Sequence, residues 1–116
     1  MSTTIKNRAL EAYHSKLRTA REAVSCIRSG DRVYIGSNCG QPVTLSEALI
    51  ERKNELNGVE IVHLLTFGPA PYVDLQYAEN FRHLAFFIGA NVRKAVQDGH
   101  ADYAPTFLHE IPALFR

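Results

Sequence analysis

Arg32-Val33-Tyr34-Ile35-Gly36-Ser37-Asn38-Cys39-Gly40-Gln41-Pro42-Val43-Thr44-Leu45-Ser46-Glu47 reads as a strand, a glycine loop and a helix start. Val33, Tyr34 and Ile35 are β-branched or aromatic, as a buried strand favours. Gly36 and Gly40 are expected to permit φ > 0 and to let a ligand approach the backbone. Thr44 and Glu47 have capping-box spacing, which predicts a helix N-terminus at Thr44. A glycine loop that ends on a helix N-terminus presents N–H groups and the positive end of a dipole. It suits an anion, a carboxylate or a polarised carbonyl. It also reads as a tight turn that needs glycine for geometry alone.

Upstream, Ile5, Ala9, Tyr13 and Leu17 recur every four residues and predict a helix over Thr4 to Leu17 with one apolar stripe. Thr19 and Glu22 form a second capping box, with Ala23, Val24 and Ile27 as the buried face behind it. Cys26 on that helix is expected to be a core thiol. Gly30 marks an αL helix end. Downstream, Leu45, Ala48 and Leu49 give the next helix its apolar side, and it runs out at Asn54. Asn57-Gly58 is a turn, and Val59 to Phe67 is the second strand. His63 inside it is expected to be a satisfied core histidine. Gly68-Pro69-Ala70-Pro71 is a rigid loop, and Tyr72 to Asn80 a short helix. Leu84 to Ile88 is the third strand, apolar throughout and so covered on both faces, with His83 at its start on the surface. Asn91 caps a helix through Gln97 that Gly99 ends. Ala101-Asp102-Tyr103 is a fourth strand, and Ile111 to Phe115 begins a helix with Pro112 in its first turn.

Strands alternating with helices predict an α/β fold, a parallel sheet with flanking helices in one domain over residues 1–116. Ligands of such sheets sit beyond the carboxyl ends of the strands. Gly36, Gly68 and Gly89 each follow one of the first three strands and mark that edge. A net charge of +1 with no basic run argues against nucleic acid as a partner. No apolar run has the length of a membrane span, and Met1 to Lys6 lacks the apolar core of a signal peptide. Two isolated cysteines, Cys26 and Cys39, point to a reduced cytoplasm.

Ser29 to Gly36, Gly40-Gln41-Pro42 and Glu47-Ala48-Leu49 resemble the start of the acetyl-CoA hydrolase/transferase family, which includes 4-hydroxybutyrate CoA-transferases. The resemblance continues through Val59 to His63, Phe81-Arg82-His83, Phe87 to Val96, Gly99 to Pro105 and Glu110 to Phe115. It implies a CoA-transferase-like fold and movement of coenzyme A between an acyl-CoA and a carboxylate, or hydrolysis of the acyl-CoA. Coenzyme A thioester is then a substrate and not a permanently bound cofactor. Family members are several times longer, and their nucleophile is a glutamate in the later half that forms an acyl anhydride and then a glutamyl–CoA thioester. This chain resembles only the first part of their N-terminal domain, as a truncated gene, a split subunit or an excised fragment would. It is expected to be inactive without a second half that carries the glutamate. The loop from Gly36 to Pro42 would line the acyl or carboxylate side of the site.

The substrate-binding set is therefore Gly36, Ser37, Asn38, Gly40, Gln41, Gly68, Gly89 and Asn91, with no catalytic or metal-ligating residue of its own. Asn38 and Gln41 are candidate donors to a thioester carbonyl or carboxylate, or else turn-forming side chains. Glu110 in His-Glu-Ile-Pro reads as a cap rather than a substitute nucleophile, and Cys39 lacks a histidine partner. Arg93 is read as a solvated face. Two function classes stand side by side: a CoA-transferase segment, and a stand-alone binding or oligomerising module that kept the fold. A sugar-phosphate isomerase relative would need acid–base carboxylates that these loops lack. A doubly covered sheet without its closing elements predicts a homo-oligomer.

Overall fold

The alternation of strand and helix folds as a parallel sheet. The computed structural model describes residues 3–116, with side chains from Asn7 onward. Strands β1 (Arg32–Ile35), β2 (Val59–His63), β3 (Phe81–Ala85) and β4 (Ala101–Tyr103) lie in the order β1-β2-β3-β4, all parallel. Helices α1 (Thr3–Lys16) and α2 (Ala20–Val24) precede β1. Helix α3 (Val43–Glu51) joins β1 to β2, α4 (Ala90–Gln97) joins β3 to β4, and α5 (Ile111–Leu114) follows β4. Two 3₁₀ turns, Pro71–Val73 and Leu75–Tyr77, stand in place of the short helix expected between β2 and β3. No helix among the described residues is long and apolar enough to cross a membrane.

Strand order that follows chain order, with right-handed crossovers, puts every crossover on one face of the sheet. The register pairs Val33 with Ile61, Ile35 with His63, Val59 with Phe81 and Ile61 with His83, which aligns those side chains on that face. Ile35, Val59, Ile61 and Phe81 pack there against Val24 of α2, Ala48 and Leu49 of α3, and Tyr72. Helix α2 has only 5 residues and is held at both ends. The Thr19–Glu22 capping box closes its start as expected, and Arg52 donates to the Val24 and Ile27 carbonyls beyond its end. The other face carries a smaller cluster of Val62, Phe86 and Ile111 under α5. Tyr34 meets Phe115 edge-on at 5.2 Å there, yet the two stay 45% and 51% exposed. At the amino ends of the strands this face turns polar, with Arg32 on Glu60 and Arg82 forked onto Asp102 at 2.6 and 2.7 Å.

Several expectations need correction. Helix α1 forms, but its stripe is not buried: every side chain from Asn7 to Thr19 is exposed, Ala9, Tyr13 and Leu17 included. The side chain of Ile5 lies outside the described residues. With α1 standing off, the radius of gyration is 16.9 Å, against about 13 Å for a compact chain of this length. Ala23 is exposed within α2, which turns only Val24 to the core, and Cys26 is exposed beyond the helix end at Val24. Gly30 has φ +81° as expected, but in a turn that follows the helix rather than at its cap. The β2 strand stops at His63, four residues early, since the Ser37 hydroxyl takes the Leu64 and Leu65 amides and turns the chain. Phe67, expected in a strand, is 71% exposed in the following loop. The β3 strand begins at Phe81 and not Leu84, because the ladder starts where Val59 N–H reaches the Asn80 carbonyl. Phe86 and Phe87 still donate to His63 and Leu64, so the apolar run spans the end of the strand and the loop beyond it. Strand β4, the α4 end at Gln97 and Gly99 stand as read, whereas α4 starts at Ala90, ahead of Asn91, the residue expected to cap it.

Candidate functional site

Three loops meet at the carboxyl edge of the sheet, one after each of the first three strands. The first is Gly36 to Pro42. Gly36 does not have positive φ. A Cβ there would lie 2.6 Å from the Gly40 carbonyl oxygen, so glycine serves close approach between two backbones. Gly40 has neither positive φ nor any atom within 4 Å of a Cβ, which corrects the expectation for both glycines. The left-handed residue is Asn38, at φ 52°, a conformation asparagine tolerates. Helix α3 starts at Val43 with Pro42 as its cap. Thr44 is inside the first turn and forms no cap, because Pro42 already has the fixed φ that opens a helix.

The second loop is clasped from both sides. Gln41 Oε1 accepts from the Gly68 amide at 2.9 Å, and Gln41 Nε2 donates to the Pro69 carbonyl at 2.8 Å. Asn91 Nδ2 donates to the Gly68 carbonyl at 2.7 Å. Both backbone polar groups of Gly68 are thus held by side-chain amides, and a Cβ on Gly68 would collide with Gln41 Oε1. Ser37 holds Leu64 and Leu65 by its hydroxyl, and Asn38 N–H donates to the Leu65 carbonyl at 2.8 Å. Gly89 is buried between Asn91 Oδ1, 2.8 Å from a Cβ built there, and the Thr66 carbonyl at 3.2 Å. It caps α4 in place of Asn91.

All eight predicted residues therefore gather in one place. The side chains of Ser37, Gln41 and Asn91 are used up in joining the loops, while Asn38, Cys39 and Gly40 are exposed in the 3₁₀ turn at the rim. Arg93 is solvent-exposed, and Glu110 accepts from Phe107 N–H at 3.1 Å as a cap. Among the described residues no three His, Cys, Asp or Glu side chains gather as metal ligands.

Beneath these loops lies a polar cluster that sequence reasoning missed. His63 and Thr66 come from the end of β2 and its loop, His83 from β3, and Tyr72 from the 3₁₀ turn. All four are at most 1% exposed. The two imidazoles stack with centroids 4.1 Å apart, and Tyr72 tilts against His83 at 5.4 Å. The surface position expected for His83 is wrong, since its register opposite Ile61 turns it into the core. His83 Nδ1 lies 2.9 Å from the Ile61 carbonyl, and a carbonyl only accepts, so this nitrogen carries the ring proton. Both nitrogens of His63, His83 Nε2, Thr66 Oγ1 and the Tyr72 hydroxyl have no hydrogen-bond partner among the described residues, so His63 is not the satisfied histidine expected. Burial, then the neighbouring His83, pushes His63 down to about 3. Burial pushes His83 down to about 4 against the opposing pull of Ile61 and Asp102. Burial raises Tyr72 to about 12, with Thr66 offsetting part of the effect.

The acetyl-CoA hydrolase/transferase N-terminal domain matches residues 1–116. The chain belongs to this family. A 4-hydroxybutyrate coenzyme A transferase of Clostridium kluyveri is 42% identical over 106 residues, which are 91% of this chain and 25% of that protein. A succinyl-CoA:cyclohexane-1-carboxylate CoA transferase of Geobacter metallireducens is 34% identical over 90% of this chain and 24% of its own length. Among solved structures, RipA from Yersinia pestis superposes with a TM-score of 0.73 at 26% identity, covering 92% of this chain and 27% of RipA. A point mutant of RipA reaches a TM-score of 0.78 at 27% identity, covering 92% of this chain and 26% of that one. This family member spans about a quarter of the length of the curated relatives it matches.

Gly36→Ala in this acetyl-CoA hydrolase/transferase domain should be destabilised by about 1–3 kcal/mol from overpacking, and Gly40→Ala by less than about 0.5 kcal/mol. Urea denaturation of the two variants checks the contrast. A pH series checks the histidines. Both rings are neutral in the fold and take up protons on unfolding below about pH 6.5. Stability should hold above pH 6.5 and fall as the pH drops towards 4 and then 3, by at most about 1.4 kcal/mol per pH unit for each ring. The slope between pH 6.5 and 5 should shrink in His63→Leu and stay the same in Asp102→Asn.

Proposed function

We propose that these 116 residues form the substrate-side segment of a CoA-transferase or acyl-CoA hydrolase, which moves CoA between an acyl-CoA and a carboxylate. The observation that carries this reading is the clasped triple loop, made from the stretches that resemble the family, in a chain whose relatives are CoA transferases. The rim of Asn38, Cys39 and Gly40 would face the thioester carbonyl or the acceptor carboxylate, with the first-turn amides of α3 behind it. In this chemistry a glutamate carboxylate attacks the acyl carbon and expels the CoA thiolate. The thiolate then attacks the glutamyl carbon of the anhydride and releases the first carboxylate. The acceptor carboxylate reverses the sequence. The glutamate comes from a second segment. Coenzyme A is a substrate here and not a resident cofactor, and the cytoplasm is the compartment.

The competing reading is a stand-alone binding or oligomerising module. An assay of CoA transfer from acetyl-CoA to other carboxylates separates the two. The 116-residue protein alone should show no turnover, and co-expression with a glutamate-bearing later segment of a relative should produce it. Turnover by the 116 residues alone, lost in Glu110→Ala or Cys39→Ala, would overturn the reading and name a replacement nucleophile. The same reading makes the chain a homo-oligomer through the sparsely covered α5 face, where Tyr34, Leu114 and Phe115 are half exposed. Light scattering across a concentration series should give a mass of at least two chains, and a monodisperse monomer at high micromolar concentration would exclude it.

A further inference from the structure

The four side chains under the loops pose a hydrogen-bonding problem that the described residues do not solve. His83 spends its only proton on the Ile61 carbonyl, so Nε2 is an acceptor without a donor. Neutral His63 has one donor and one acceptor, both unmet. Thr66 lies close enough to Tyr72 to hold its hydroxyl pKa down in part, yet neither hydroxyl makes a hydrogen bond of normal geometry, so each still has hydrogen-bonding capacity to place. The imidazoles cannot serve each other, since they meet face to face at 4.1 Å with their planes 27° apart. Bulk solvent does not reach them, with Thr66, His63 and His83 at 0% and Tyr72 at 1% exposure. Buried polar groups in folded proteins are paired with protein or with internal water.

We propose that His63, Thr66, Tyr72 and His83 bind an internal water that ties the loop after β2 to the core. Water has the chemistry the set demands. It donates twice and accepts twice, and the cluster mixes bare acceptors with hydroxyl donors. A metal ion would need ring lone pairs that converge, and the stacked planes keep them apart. The site is placed to matter for the edge above it. Thr66 sits between Leu65, which Asn38 holds, and Phe67 at the rim, and its carbonyl lies against Gly89. A water bonded to Thr66 anchors from below the loop that Gln41 and Asn91 clasp from above.

The test uses two isosteric changes, Thr66→Val and Tyr72→Phe, in the purified protein. An orphaned hydroxyl costs stability, so its removal would raise the melting temperature or leave it unchanged. A water-bonded hydroxyl contributes stability, so each variant should melt several degrees lower. Oxygen-17 relaxation dispersion of the wild-type protein should count a long-lived internal water that each variant lacks. A wild type without a long-lived water overturns the proposal whether or not the variants fold. Equal water counts in wild type and variants, or variants that melt no lower, overturn it as well.

Discussion

Gln41 binds the chain at Gly68 and Pro69 with both ends of its side-chain amide, and the carboxyl edge of the sheet depends on that clasp. Beyond His63 the strand ladder dwindles to two backbone bonds, from Phe87 N–H to Leu64 and from Asn38 N–H to Leu65. Its role passes to side chains: Ser37 for Leu64 and Leu65, Gln41 and Asn91 for the two polar groups of Gly68. Each such bond is worth only about 0.5–1.5 kcal/mol net, but together they order a loop whose amides would otherwise be left to water. Gly68 and Gly89 have no Cβ because these amides occupy the space. The polar side chains at this edge are fasteners, and what they fasten is the backbone that forms the rim.

The strand order sets a second constraint. Chain-order pairing with right-handed crossovers puts α3 and the turns after β2 on one face, where α2 joins them to bury the main core. The opposite face is left to α5, a helix of 4 residues. One short helix buries Val62 and Phe86 but does not reach across the sheet, which is why Tyr34 and Phe115 on this face stay half exposed while Val59 and Ile61 on the other are at 0%. The Arg32–Glu60 and Arg82–Asp102 pairs make the rest of that face tolerable to water and fix register across the strands.

What was legible in the sequence is what short-range chemistry decides. The Thr19–Glu22 box, the β1 strand and the Asn57-Gly58 turn depend on neighbours in the chain, and they stand where the pattern puts them. The edge positions of Gly36, Gly68 and Gly89 were legible because glycine after a strand is a local signal. Their roles were not legible, because Gly36 answers to Gly40 and Gly68 answers to Gln41, 27 residues away. His83 beside Arg82 reads as surface until the register with Ile61 sends alternate side chains to opposite faces. Cys26 and the α1 stripe failed for the opposite reason: an apolar pattern says that a face can be buried, but it does not provide the partner.

On the proposed reading, the edge holds and polarises a ligand rather than attacking one. None of Gly36, Ser37, Asn38, Gly40, Gln41, Gly68, Gly89 and Asn91 has a side chain that ionises near neutral pH. The histidines closest to the loops are buried and held neutral far below pH 7, so neither is a base of use to a substrate at the rim. Helices α3 and α4 both begin at this edge, on Pro42 and Gly89, neither of which caps its helix with a side chain. Their first-turn amides and dipoles thus favour negative charge at one place. Thioester exchange develops negative charge on a carbonyl oxygen and needs a carboxylate to attack it. An edge of helix N-termini without ionising side chains would meet the first need. A carboxylate fixed among these residues would neutralise the helix termini that stabilise the oxyanion, so the two needs are better met by separate segments of chain that meet at the rim.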